Sequence, residues 1–256
     1  MQLKDRVAIV TGGGSGIGQS TCLLLAEEGA IVAIGDIDTE AAATIASRII
    51  EAGGQAMHTY LNAKDSASVQ TFVEQVLHRF GRIDILVNNV GTTGTTHPTN
   101  VIECTEHEFD TTLARNVKSV FLMSRAVLPS MIKNRSGSVI NISSAAGLVG
   151  RRNLFAYSAA KGAIIALTRA MAHDHGKDGI RVNCVCPGPT LTPALNKDIA
   201  ASADPEAKRK AREAEQPLGR LGEPLDTAEA IVFLASDRAS WLTGVIMPVD
   251  GGNTAI

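Results

Sequence analysis

The chain lacks the features that mark secreted, membrane-spanning and nucleic-acid-binding proteins. It has only 4 cysteines in 256 residues, and none has the spacing of a disulfide-stapled scaffold. No apolar run approaches the length needed to span a bilayer. Charge of one sign is missing as well: 24 Lys and Arg face 26 Asp and Glu, a formal net charge of −2. Both signs are interspersed, so neither nucleic acid nor an anionic membrane is an expected partner. Met1-Gln2-Leu3-Lys4-Asp5 enters the first strand-like segment almost at once, which leaves no room for a signal peptide, and a cytoplasmic location is expected. There is no internal repeat and no low-complexity tract.

Metal chemistry finds little to stand on. His173 and His175 flank Asp174 near a helix end, but at about 100° per residue they project about 200° apart and do not converge. Cys184 and Cys186 flank Val185 at a strand end. They are read as small buried side chains pointing to opposite faces, with no metal role.

What is present is a regular alternation of strand-like and helix-like segments. The strand candidates are Val7–Thr11, Ile31–Asp36, Ala56–Leu61, Ile83–Asn88, Ser138–Ser143, Arg181–Cys186 and Val245–Val249. Most are near-continuous apolar runs, as expected for strands covered on both faces. Helical stretches between them imply a parallel sheet with right-handed crossovers. No composition shift divides the chain, so one α/β domain over residues 1–256 is expected. One region departs from the pattern. Residues 189–223 carry Pro189, Pro193, Pro205 and Pro217 around a charged, alanine-rich helical piece, which suggests a lid over a substrate site.

The strand Val7–Thr11 runs into Gly12-Gly13-Gly14-Ser15-Gly16-Ile17-Gly18 and then a helical stretch. A strand, a glycine-rich turn and a helix start make a phosphate cradle, because glycines admit a pyrophosphate and the helix terminus favours an anion. The second strand ends in Asp36, about 20 residues on, where an acidic side chain accepts hydrogen bonds from an adenosine ribose. Its charge repels a 2′-phosphate, and the adjacent Ile37-Asp38 brings no arginine. NAD is therefore expected over NADP.

Tyr157 and Lys161 stand four apart in a helical stretch, thirteen residues after Ser144. Positions i and i+4 share a helix face, so an ammonium lies beside a phenol whose ordinary pKa is near ~10. A neighbouring positive charge is expected to draw that pKa down and make a general acid/base, with a hydroxyl nearby to hold a substrate oxygen.

From about residue 5 to residue 252 the chain resembles the short-chain dehydrogenase/reductase family. Thr11 to Gly18 match its cofactor loop, with Gly12, Ser15, Gly16, Ile17 and Gly18 at the cofactor. Asn88-Asn89-Val90-Gly91 match its Asn-Asn-Ala-Gly segment, with Val90 in place of alanine. Asn116 stands where the family keeps a catalytic asparagine in a long helix. Ser144, Tyr157 and Lys161 fill the remaining catalytic positions, the thirteen-residue separation selecting Ser144 over Ser143. Pro187-Gly188 follow the sixth strand, with Thr190 and Thr192 placed to touch the nicotinamide. Val249-Asp250-Gly251-Gly252 closes the match. Where the family often has aspartate and valine after the third strand, this chain has Asn62 and Ala63, and the Asn62 carboxamide oxygen still suits the adenine amino group.

The resemblance implies a Rossmann-like, doubly wound sheet of seven parallel strands in the order 3-2-1-4-5-6-7. It implies an oxidoreductase that passes a hydride between NAD(H) and a secondary alcohol or ketone; a sugar, a polyol and a cyclic alcohol all fit. Tyr157 would take the hydroxyl proton, Ser144 would hold the oxygen, and Lys161 would grip the nicotinamide ribose. Asn116 would hold a relay water through its side chain or through a break in its helix. Arg151, Arg152 and Asn153 border the substrate mouth and suit a carboxylate or a polyol, while Leu148, Val149, Leu154 and Leu195 would form an apolar wall. The alternatives are an NADPH-dependent 3-oxoacyl-carrier reductase, a non-redox lyase on this fold, and a nucleotide sensor without chemistry. The family also implies a homotetramer through helices around residues 104–133 and 157–176, with Trp241 at a further contact.

Overall fold

The structure, a computed structural model, describes residues 1–92 and 99–255. Its strands are β1 (Val7–Thr11), β2 (Ile31–Asp36), β3 (Gln55–Tyr60), β4 (Ile85–Asn88), β5 (Gly137–Ile142), β6 (Ile180–Pro187) and β7 (Ile246–Val249). They form one parallel sheet in the order β3-β2-β1-β4-β5-β6-β7. Val10 sits beside Ile34 on one side and Val87 on the other. The chain winds outward in one direction from β1 to β3 and in the other from β4 to β7, so a crevice opens at the carboxyl ends of β1 and β4.

The helices are α1 (Gly16–Glu27), α2 (Thr39–Glu51), α3 (Ser66–Phe80), α4 (Glu106–Leu113), α5 (Ser119–Asn134), α6 (Phe155–His175), α7 (Pro193–Ala200), α8 (Pro205–Ala214) and α9 (Pro224–Ala235). Local chemistry sets several of their starts. Asp38 accepts from the Ala41 amide to cap α2, and Thr105 and Glu108 form a capping box at α4. Proline opens α7, α8 and α9, where a missing N–H costs nothing. Strand β4 starts two residues later than the apolar run suggests. The buried Asp84 carboxylate accepts from the Val7 amide at 2.9 Å and binds Arg82, so Ile83 and Asp84 serve as a clasp beneath β1.

Strand alternation divides the core between the two faces. Ala8 and Val10 pack with α1, α2 and α9, whereas Val7 and Ile9 pack with α3 and α5. This period corrects the expectation for Cys184 and Cys186. Residues i and i+2 of a strand point the same way, and both thiols lie with Val120, Ile164 and Ile165, while Val185 joins the opposite face. Between residues 189 and 223 the structure holds two short helices rather than one, α7 and α8. They are tied by Arg212 and Lys208 to Asp198.

Candidate active site

The cradle is built where β1 and β4 diverge. The Thr11 hydroxyl accepts from the amides of Asn89 and Val90 at 3.0 and 3.2 Å and donates to the Val87 carbonyl. The Asn89 carboxamide returns two bonds of 3.1 Å, to the carbonyls of Thr11 and Gly12. Gly12 has φ +65°, and a Cβ there would sit 3.2 Å from Asn89 Nδ2 and from Val90 Cγ2. At Gly18 a Cβ would overlap the Gly12 carbonyl. Only glycine gives this close crossing of loop and helix start. Ser15 is exposed in the N-cap position and makes no capping bond, which leaves its hydroxyl open to a ligand beside the first-turn amides of Gly16, Ile17 and Gly18, which an α-helix leaves without intrahelical partners.

Asp36 closes the cradle on one side. Its carboxylate accepts from the Gly14 amide at 2.9 Å and from the Asp38 amide at 3.0 Å, which fixes the acid against the loop. Ile37 beside it is exposed. Beyond β3, Asn62 is half-buried and Ala63 buried; the Asn62 amide donates to the Ser68 hydroxyl at 2.9 Å, so its backbone is held. The cradle therefore fits a dinucleotide: open glycine backbone, a helix terminus, and an acid at the ribose position.

The second half of the site converges on Lys161. This residue, 2 % exposed, donates from Nζ to the Ile142 carbonyl at 2.9 Å and lies 5.6 Å from the centre of the Tyr157 ring. A Cβ on Gly91 would come within 2.7 Å of Lys161 Nζ and 2.8 Å of Asn116 Oδ1, so these three residues from three elements meet at one point. Asn116 is fully buried. It occupies a π turn, Ala114–Lys118, that divides the expected long helix into α4 and α5. Its Nδ2 donates at 2.9 Å to the carbonyls of Thr112 and Thr92, and its Oδ1 accepts from the Thr92 amide. A side chain thus takes the carbonyl that an unbroken i→i+4 ladder would give to the backbone.

Ser143 and Ser144 separate cleanly. Ser143 is buried and donates to the Lys161 carbonyl at 2.7 Å, whereas Ser144 is half-buried, accepts from the Ala146 amide at 3.1 Å and lies near enough to the Tyr157 phenol to act on its acidity. Burial pushes the Tyr157 phenol above its ordinary value, and the neighbouring Ser144 hydroxyl opposes it. The expected downward pull of Lys161 on that phenol is not found. The ammonium is engaged by Ile142 and is itself pushed down to about 8 by burial.

At the far end, Pro187 ends β6 and Gly188 donates to the Val249 carbonyl at 3.0 Å, packed on Asp250 too closely for a Cβ. The Thr190 hydroxyl donates inward to the Gly188 carbonyl. Thr192 caps α7, and its methyl stands 3.1 Å from the Cβ position of Gly16, so it alone of the two threonines reaches the cradle. Arg151 is half-buried and donates to the Asn253 carbonyl at 3.5 Å, while Arg152 and Asn153 are exposed. Two contributors escaped the sequence reading: the Thr11 hydroxyl, and Gly147, where a Cβ would come within 2.8 Å of the Lys161 carbonyl carbon. The Thr-Gly junction ending an apolar strand was the available sign of the first. Among the described residues no cluster of three metal-ligating side chains occurs, and no helix is long and apolar enough to cross a membrane.

Known proteins resemble the whole chain. A family model described as enoyl-(acyl carrier protein) reductase matches residues 12–254. The chain is 41% identical over 257 residues to cis-4-hydroxycyclohexanecarboxylate dehydrogenase of Sinomonas cyclohexanicum, covering 98% of both. It is 38% identical over 252 residues to a 3-oxoacyl-(acyl-carrier-protein) reductase of Thermotoga maritima, covering 98% of this chain and 99% of that one. The crystal structure of levodione reductase superposes with a TM-score of 0.92 at 36% identity, over 99% of each chain. The chain therefore belongs to the short-chain dehydrogenase/reductase family and is an oxidoreductase.

Proposed function

We propose that the protein is an NAD-dependent dehydrogenase that interconverts a secondary alcohol, a cyclic one foremost, and its ketone. The observation that carries this reading is the meeting of Ser144, Tyr157 and Lys161 at the carboxyl end of the sheet, beside the glycine cradle. Bound nicotinamide supplies the hydride acceptor in oxidation and the hydride donor in reduction.

The chain's own groups handle the proton and the oxygen. Ser144 holds the substrate oxygen by a hydrogen bond, and Tyr157 exchanges a proton with the same atom. Burial keeps the phenol protonated, which suits it to donate during reduction. For oxidation the phenol must lose its proton; the Lys161 ammonium would favour the phenolate, and the same residue would hold the ribose of the cofactor. The proton then leaves past the π turn at Asn116. The Thr112 hydroxyl there is buried without a protein partner, and a water bound to it would complete a relay.

Asp36 supports NAD, because its fixed carboxylate stands where a 2′-phosphate would bring a second negative charge. The cyclic alcohol is favoured by the likeness to the hydroxycyclohexanecarboxylate dehydrogenase. Reduction of a 3-oxoacyl carrier substrate with NADPH is the second reading, favoured by the likeness to the Thermotoga reductase and opposed by Asp36. The segment 189–223, with α7 leaning on Gly16 through Thr192, acts as the lid. Half-exposed Phe121 and Phe155 on α5 and α6 suit the helix faces of a homotetramer, which a solution mass measurement tests.

The decisive experiment follows absorbance of reduced nicotinamide with cyclic alcohols, polyols and hydroxy acids, with NAD⁺ and NADP⁺ in parallel. Turnover with NAD⁺ that falls about 10²–10⁴-fold in Tyr157→Phe is expected. Turnover with NADP⁺ alone would move the oxoacyl reductase ahead.

A further inference from the structure

Successive residues at the end of β5 reach across to α6, the helix that carries Tyr157 and Lys161. Asn141 Nδ2 donates to the Thr168 hydroxyl at 3.0 Å, the Ile142 carbonyl accepts from Lys161 Nζ at 2.9 Å, and Ser143 donates to the Lys161 carbonyl at 2.7 Å. Asn141 and Thr168 are fully buried, and the mechanism uses neither. Thr168 lies about two turns beyond Lys161 on the same buried stripe of α6. Its hydroxyl donates on to the Ile164 carbonyl at 2.8 Å. On its other side Asn141 lies opposite Asn88 in the sheet. Its Oδ1 accepts from Asn88 Nδ2 at 2.9 Å, and that nitrogen also donates to the Ser124 hydroxyl at 3.2 Å. The next residue, Asn89, holds the glycine turn at the Thr11 and Gly12 carbonyls. A buried polar line thus runs from the cradle through β4 and β5 to α6.

We propose that Asn141 and Thr168 are positioning residues for the reaction, their bond setting where α6 stands on the sheet and so where Lys161 and Tyr157 stand relative to the cradle. The other contacts of this stripe are apolar: Ile164 and Ile165 lie against Cys184 and Cys186. Apolar contact is non-directional, so it leaves rotation of the helix about its axis and sliding along it weakly opposed. Hydrogen bonds are directional. The bonds at Lys161 hold one point of the helix, and the bond at Thr168 holds a second about two turns away, which stops both motions. A misplacement of about 1 Å, even from a change far from the chemistry, costs about 10²-fold in rate. The loss of activity expected here rests on the roles proposed above for Tyr157 and Lys161.

The test compares Thr168→Val, which keeps the shape and removes the hydroxyl, with Thr168→Ser, which keeps the hydroxyl. In Thr168→Val kcat should fall at least tenfold with substrate and coenzyme saturating, while the Kd for reduced nicotinamide changes less than threefold. Thr168→Ser should stay within twofold of the parent on both. A kcat in Thr168→Val equal to the parent's overturns the proposal, whatever happens to its urea midpoint, because the bond would then serve stability alone. An equal fall in Thr168→Ser also overturns it, by assigning the loss to the methyl group. Thr168→Ala takes the place of Thr168→Val if the latter does not fold. Acetylation of Lys161 by acetic anhydride, weighed in its peptide, reads the position of the amine without turnover. It should run at least threefold faster in Thr168→Val and at the parent rate in Thr168→Ser; equal rates in all three overturn the proposal. A parent that turns over no alcohol or ketone fails the reading of function instead, and the acetylation rates then decide the positioning.

Discussion

The Ser143 hydroxyl donates to the carbonyl oxygen of Lys161 at 2.7 Å, fastening the middle of α6 to the end of β5. Its neighbour Ser144 accepts from the Ala146 amide at 3.1 Å and acts on the acidity of the Tyr157 phenol. Two adjacent identical residues therefore carry different duties. Ser144→Ala is expected to lower kcat about 10²–10³-fold while leaving stability nearly unchanged. Ser143→Ala should cost about 1–3 kcal/mol of stability, because a buried carbonyl loses its donor, with less than a tenfold loss of kcat. Paired urea titrations and turnover measurements check this, and a reversal of the two profiles would assign the roles the other way.

Gly91 has no strained φ, yet a Cβ there would press on both Lys161 Nζ and Asn116 Oδ1. Gly91→Ala should therefore lower kcat at least tenfold by displacing the ammonium, with circular dichroism like that of the parent. Undiminished kcat would mean that Lys161 has slack in its position.

Lys161 gives stability a pH dependence whose sign follows from burial. Its ammonium deprotonates at about 8 in the folded chain, below the ordinary 10.5. Between those values the unfolded chain holds more protons, so stability should rise with pH across that window. Below it the buried charge costs about 3 kcal/mol. In Lys161→Met this rise should disappear. The gain near neutrality would be offset in part by the Ile142 carbonyl, which loses its donor at a cost of about 1–3 kcal/mol. Urea denaturation of both proteins at about pH 7 and about pH 10 measures the difference, and equal slopes would refute it.

Asp36→Asn keeps an oxygen for the Gly14 or Asp38 amide but removes the charge. The ratio of kcat/KM for NADP⁺ to that for NAD⁺ should rise at least tenfold. An unchanged ratio would show that coenzyme choice lies elsewhere.

Local signals carried much of this protein. Apolar runs such as Val7–Thr11 mark buried strands because a strand covered on both faces has no polar side to show. Gly12-to-Gly18 and the i, i+4 spacing of Tyr157 and Lys161 express short-range geometry, which is readable because it needs only neighbours in the chain. The capping residues Asp38 and Thr105 belong to the same class, though only the structure drew attention to them.

Contacts between distant segments were not legible in that way. The sequence by itself determined most of the elements, the glycine turn after β1 and the spacing of Tyr157 and Lys161, since each depends on spacing along one strand or helix. Tertiary structure alone decided that Thr11 clasps Asn89 and that Ser143 anchors Lys161. It likewise decided that Asn116 breaks its helix to reach Thr92, and that Arg151 turns to Asn253. It also reversed the expected shift of the Tyr157 phenol, because desolvation depends on everything packed around a group and not only on the lysine four residues away.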